Sequence, residues 1–253
     1  GGFGKVLLGI QRPLFRLKAA VKLVELAGDG VAHGAHGAKV AKRIAQKFEN
    51  EAGALATLQH PNIVRLLQYG LFQGRPFMAM ELVPGRRTLQ SEISRAAAQR
   101  TGLTLATVHH LLEQVLNGLE AAHEQEIIHR DIKPANIMLQ AVVGDPWHVK
   151  LIDFGLAKVL ADSAETSLVL GTVSYMAPEQ IEGKNLGPWT DLYAVTAVAF
   201  ELMIGQRVFP GEEAREILRL KLSSSFDPFS RLEDGHDLPD SAVEFLRKGL
   251  ARY

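Results

Sequence analysis

The chain has 253 residues and 27.7 kDa, with 28 basic side chains balanced by 28 acidic ones and no cysteine. At 47% hydrophobic and 22% charged residues it is neither disordered nor fibrous, and it has no disulfide framework or thiolate metal site. A net charge of zero removes any global electrostatic case for nucleic acid or an anionic membrane as the main partner. The apolar run at 192–200 is too short to span a bilayer, and no basic start followed by an apolar run suggests a signal peptide. The composition therefore reads as a soluble, cytoplasmic domain without a membrane segment.

Charge divides the chain. Residues 1–83 carry 11 Lys and Arg against 5 Asp and Glu, whereas 84–253 carry 17 against 23. The change falls at Val83-Pro84-Gly85, a turn-forming sequence that suits a link between two lobes. In chain order, β-like runs are predicted at 5–10, 19–24, 63–69 and 76–82, around one helical segment. The stretch 27–39 is rich in Gly and Ala and contains His33 and His36. Two histidines three apart are a weak ligand set, so it reads as a flexible insertion ahead of that helix. Between 105 and 122, apolar residues at 105, 108, 111, 112, 115, 116, 119 and 122 form one helical stripe, with Thr104 as N-cap. The segment 192–205 is apolar almost all round, which predicts a helix buried within the second lobe.

Several residues carry chemistry. Gly1-Gly2-Phe3-Gly4-Lys5-Val6 places small residues between two expected strands, where backbone N–H groups can approach phosphate oxygens closely. Lys22 lies inside a β-run. Ile44, Phe48, Glu51 and Leu55 share one helical stripe, so the Glu51 carboxylate needs a cation, and Lys22 is the candidate. Asp131 and Asn136 lie five apart after the amphipathic helix, and Asp153 follows a β-like pair. Two oxygen ligands for a hard cation beside a carboxylate base suit Mg²⁺-assisted phosphoryl transfer. The paired His109 and His110, and His123, read as structural.

Taken in order, the glycine loop, Ala20-Val21-Lys22, Glu51, His60-Pro61-Asn62-Ile63, His129-Arg130-Asp131, Asp153-Phe154-Gly155 and Ala177-Pro178-Glu179 resemble the protein kinases. Lys133, in Asp131-Ile132-Lys133-Pro134, points within that resemblance to the serine/threonine class. The resemblance implies an α+β, two-lobed fold with a small β-rich N-lobe (1–83) holding one helix and a larger, mainly helical C-lobe (84–253). It implies ATP and Mg²⁺ as cofactors and protein substrates with Ser/Thr acceptors. Lys22 would hold the phosphates and pair with Glu51, Asp131 would take the substrate proton, and Lys133 would steady the γ-phosphate. Asn136 and Asp153 would hold the metals. Gly1 and Gly4 would cover the phosphates. Val6, Ala20 and Met138 would sandwich adenine, with Met80 as gatekeeper and Glu81 and Val83 as backbone contacts to the base. Thr172 resembles the threonine that locates the acceptor, and Leu55, Leu66, His129 and Phe154 resemble a lobe-linking stack anchored by Asp191.

Departures from the pattern shape further expectations. The glycine loop begins at its second glycine, and the chain stops before the arginine that pairs with Glu179. A chain shortened at both ends is thus expected to be weakened, unless Arg247 or Arg252 substitutes for that arginine. Thr196 replaces a customary glycine in the buried helix. Thr166, Ser167 and Ser163 are the candidate phosphosites opposite Arg130. Arg87 and Ala135 stand where basophilic relatives carry acids, so a substrate arginine three residues before the acceptor would meet repulsion. A non-catalytic scaffold and a small-molecule phosphotransferase are the competing readings; intact Lys22, Asp131, Asn136 and Asp153 oppose the first, and the 171–179 segment opposes the second.

Overall fold

The computed structural model describes residues 4–10, 18–24, 35–73, 75–154, 170–223, 226–232 and 238–251. Four strands, β1 (Gly4–Ile10), β2 (Lys18–Val24), β3 (Leu66–Phe72) and β4 (Arg75–Glu81), form an antiparallel sheet in the order β1-β2-β4-β3. Helix α1 (Ala35–Thr57) packs on it through Phe48 and Ala52, which are buried with Met78, and Phe48 meets Tyr69 edge-on. Because α1 starts at Ala35, residues 35–39 are helical, and the low-complexity insertion expected over 27–39 is cut short from that end.

Register decides which side chains share the inner face of the sheet. Val6 lies opposite Lys22, and Ala20 lies opposite both Leu8 and Met80. Cross-strand partners and alternate residues point to one side, so Val6, Ala20, Lys22 and Met80 share a face. The strand expected over 63–69 is shifted. Ile63 instead makes a parallel bridge with Leu151, and Val64 N–H donates to the Leu151 carbonyl at 2.9 Å, so β3 begins only at Leu66.

The second region is helical around a two-stranded sheet. Thr88 caps α2 (Leu89–Gln99) reciprocally with Ser91, and the Thr104 hydroxyl accepts Thr107 N–H at the start of α3 (Leu105–His123). Strands β5 (Ile137–Val142) and β6 (Asp145–Leu151) follow, and then two short helices, α4 (Leu170–Val173) and α5 (Pro178–Glu182). Helix α6 (Pro188–Ile204) is buried on nearly every side, as its predominantly apolar composition requires, and ends at Gly205 in the left-handed conformation (φ 74). Helices α7 (Ala214–Leu222) and α8 (Asp240–Gly249) close the order. The main core runs from Val108, Leu111, Val115 and Leu119 of α3 to Val195, Val198 and Phe200 of α6. Among the described residues, no helix is long and apolar enough to cross a membrane.

Buried polar contacts join the two regions. The Asn62 amide donates to Gln114 Oε1 (3.0 Å) and the Val149 carbonyl (3.1 Å), while Val149 N–H donates to the same Gln114 oxygen. Each of these groups would be orphaned without the others.

Thr196, the departure from glycine in α6, donates to the Leu192 carbonyl at 2.8 Å, and its room comes from Gly249 of α8. A Cβ at Gly249 would lie 2.0 Å from Thr196 Oγ1. Gly249→Ala is therefore expected to cost about 1–3 kcal/mol through overpacking, with part of the loss recovered by Thr196→Gly in the same chain. Thermal unfolding checks this, and an unchanged melting temperature in Gly249→Ala would contradict it.

Candidate active site

The loop between α3 and β5 is held by one buried carboxylate. Asp191, 1% exposed in the first turn of α6, accepts the backbone N–H of His129 and of Arg130 at 2.8 Å each, and lies 2.8 Å from His123 Nε2. Arg130 is left-handed (φ 64), and Gln180 Nε2 donates to its carbonyl at 2.9 Å, so this strained residue is bound from both sides. His129 is fully buried, and burial holds its imidazole below the usual range, hence neutral. Its Nε2 faces the Ile152 carbonyl (3.0 Å), and its Nδ1 accepts Asp131 N–H (3.3 Å). The ring therefore joins the loop carrying Asp131 to the strand end carrying Asp153.

Four polar side chains converge beyond this anchor. Asp131 Oδ2 accepts from Lys133 Nζ at 2.8 Å and from Asn136 Nδ2 at 2.9 Å. Lys133 also donates to Thr172 Oγ1 at 3.0 Å, and Asn136 donates to the Asp131 carbonyl at 2.8 Å. Asp153, left-handed (φ 58) like Arg130, pairs with Lys22 Nζ at 2.8 Å across from the sheet. The donor set fits Mg²⁺. Asn136 gives its amide nitrogen to Asp131, which leaves the carbonyl oxygen for a cation, and Asp153 brings a carboxylate. Both are hard oxygen ligands, and Mg²⁺ is normally held by one or two such groups together with substrate phosphates.

The expected stack also assembles. The Phe154 and His129 rings lie 4.4 Å apart between centroids, and Phe154 lines a small apolar cavity with Leu55, Leu66 and Met80. On the sheet side, Glu81 N–H is taken by the Arg65 carbonyl (2.9 Å) and Val83 is buried. Met138 on β5 bridges to Thr88 directly beyond the inter-region link.

Several expectations are corrected. Lys22 pairs with Asp153, and Glu51 is only half-buried. The buried stripe of α1 runs through Phe48 and Ala52, so Glu51 sits at its margin and is not forced to find a cation there. Glu179 accepts from the Thr190 hydroxyl at 2.7 Å and is half-buried, while Arg247 stacks on Phe229. Arg87 donates to Glu92 (2.8 Å), which also pairs with Arg95, and to the Pro146 carbonyl (2.9 Å), and it lies over Trp147. Gly1, Gly155, Ser163, Thr166, Ser167 and Arg252 lie outside the described residues, and Gly4 opens β1.

The sequence model of the protein kinase domain matches residues 1–252. The chain belongs to the protein kinase family. The kinase domain is 36% identical over 208 residues to the probable serine/threonine-protein kinase PknB of Lactococcus lactis, covering 81% of this chain and 31% of that protein. It is 39% identical over 165 residues to the serine/threonine-protein kinase PknJ of Mycobacterium tuberculosis, covering 64% and 27%. The chain thus spans about a third of the length of the curated relatives it matches. Among solved structures, the M. tuberculosis PknI kinase domain superimposes with a TM-score of 0.68 at 24% identity, covering 99% of this chain and 83% of that one. A structure of Rad53 1–466 in complex with AMP-PNP gives 0.72 at 24% identity, covering 99% and 57%. These likenesses show the two-lobed kinase fold.

One contact in the kinase domain escaped the sequence. Lys150 of β6 pairs with Glu81 of β4 at 2.7 Å, tying the two sheets together beside the link. Nothing in the spacing of two residues 69 apart would pair them.

Proposed function

We propose that the chain transfers the γ-phosphoryl group of ATP to Ser and Thr hydroxyls of protein substrates, in the cytoplasm and without a nucleic-acid partner. The observation that carries this reading is the convergence of Asp131, Lys133 and Asn136 with the Lys22–Asp153 pair, across the gap between the sheet and the helical region. Lys22 binds the phosphates from the face it shares with Val6, Ala20 and Met80. Those apolar residues, with Met138 below, take the adenine; the Glu81 carbonyl and the Val83 backbone bond its edge, and Gly1 and Gly4 cover the phosphates. Asn136 and Asp153 hold Mg²⁺, which when bound neutralises phosphate charge.

Asp131 orients the acceptor hydroxyl and receives its proton as the hydroxyl oxygen bonds to the γ-phosphorus and the bond to the β,γ-bridging oxygen breaks, releasing ADP. Lys133 stands between Asp131 and Thr172, where the transferring group's charge develops. Such a site works mainly by positioning and electrostatics, because the transition state is loose.

Lys22→Ala and Asp153→Ala are each expected to lower kcat/KM by at least about a hundredfold with no loss of folded structure. Steady-state kinetics beside circular dichroism checks this, and wild-type turnover in Asp153→Ala would contradict the metal role. The reading as a whole is tested with γ-labelled ATP, Mg²⁺ and a generic protein acceptor, followed by phosphoamino-acid analysis. Label on serine or threonine is expected; label on tyrosine alone, or none, overturns it.

A further inference from the structure

Helix α7 carries a lysine where an apolar residue would pack more cheaply. Lys221 is 1% exposed, with its ammonium 4.6 Å from the Phe209 ring centroid and 5.1 Å from that of Tyr193. Desolvating an ammonium is costly, and burial pulls this one down to about 7. The contact bought by that burial is a 2.7 Å hydrogen bond from Nζ to the Met176 carbonyl.

Met176 lies in the middle of the segment between α4 and α5. Just before this segment, in α4, Thr172 accepts from Lys133, beside Asp131. At its end, Ala177 N–H donates to Gln180 Oε1 (3.0 Å), the same side chain that holds the Arg130 carbonyl. Between them the Tyr175 hydroxyl donates to the buried Glu201 of α6. Lys221 thus ties this segment to α7 through a backbone carbonyl, which bears on the path of the chain itself.

We propose that Lys221 is a positioning residue for protein-substrate docking: by holding the Met176 carbonyl with an ammonium packed against the Phe209 and Tyr193 rings, it sets the shape of the Thr172–Ala177 segment on which the acceptor peptide rests. The proposal rests on the reading of that segment as the acceptor-docking surface of a protein kinase. The Lys221 ammonium lies against Met176, Tyr193 and Phe209, none of them a residue assigned to phosphate, metal or adenine, so its removal acts on acceptor binding and leaves ATP binding alone.

The deciding variant is Lys221→Met, which keeps volume and removes both donor and charge. Replacing a buried ammonium with an apolar side chain of similar size does not weaken packing, so a merely structural lysine and a positioning one part company here. With myelin basic protein as acceptor, Lys221→Met is expected to raise the acceptor KM about tenfold, leave the ATP KM within about twofold, and leave the melting temperature unchanged or higher. Hydrogen exchange at the amides of Tyr175 and Met176, which donate to the Thr172 and Val173 carbonyls, is expected to speed up. Lys221→Arg retains a charged donor that stacks on aromatic faces, and is expected to recover most of the acceptor affinity. A wild-type acceptor KM with unchanged exchange in Lys221→Met overturns the proposal, as does a parallel loss of ATP and acceptor affinity with a lowered melting temperature. If the unaltered chain transfers no phosphate, the kinase reading fails, and exchange alone decides: faster exchange in Lys221→Met upholds the tie, and unchanged exchange removes it.

Discussion

Asp131→Ala is expected to slow phosphoryl transfer about a thousandfold while ATP affinity stays within about threefold of the unaltered chain. The carboxylate belongs to the loop between α3 and β5 and is held by Lys133 and Asn136, 2.8 and 2.9 Å from one oxygen. Its loss removes a proton acceptor that acts only as the acceptor hydroxyl attacks, so the effect falls on kcat. It also frees Lys133 and Asn136 from their common anchor, and a displacement of about 1 Å in such groups costs roughly another hundredfold where positioning dominates. Single-turnover kinetics beside equilibrium ATP binding separates the two quantities. A variant that loses ATP affinity as much as rate would place Asp131 in nucleotide binding instead.

Asp191→Ala is expected to produce the largest loss of stability of any single substitution in the loop region, about 3–5 kcal/mol. The buried carboxylate accepts two backbone N–H groups, one of them on the fully buried His129, and its removal orphans both donors. For a domain of this size the melting temperature should fall by about 10 °C or more. Arg130 would lose the bond that keeps it left-handed, so the remaining folded fraction should also transfer phosphate poorly. Asp191→Asn, which keeps an acceptor oxygen, should fall between the two. A melting temperature within about 2 °C of the unaltered chain in Asp191→Ala would refute the anchoring role.

Much of this architecture was legible in the residues because the signals were local. The stripe from Val108 to Ala122 and the all-round apolar α6 each required a helix, and the motifs around Asp131 and Asp153 lie on the short loops that the helices and strands bring together. What escaped depended on a partner distant in sequence. Periodicity put Glu51 on the inner stripe, yet α1 is buried through Phe48 and Ala52, and Lys22 meets Asp153 instead. Arg87 read as a free charge because Pro146, which accepts from it, is 59 residues further along, with Trp147, which stacks on it, next in the chain. Ile63 read as the start of a strand because its β-propensity is real, but its partner is Leu151 in the other sheet. Nothing in the sequence marks Lys221 as buried. Only the folded chain brings Phe209, Tyr193 and the Met176 carbonyl around it.

The central claim is that Asp131, Asn136 and Asp153 form one Mg²⁺-dependent phosphoryl-transfer site that acts on protein hydroxyls. Its most direct test is a single-turnover transfer of label from γ-labelled ATP to a protein acceptor, with Mg²⁺ titrated, for the unaltered chain beside Asp131→Ala and Asp153→Ala. The account predicts Mg²⁺-dependent label on serine or threonine, rates at least about a hundredfold lower in both variants, and a raised Mg²⁺ requirement only in Asp153→Ala. Equal rates in all three, or transfer that persists without a divalent cation, would contradict it.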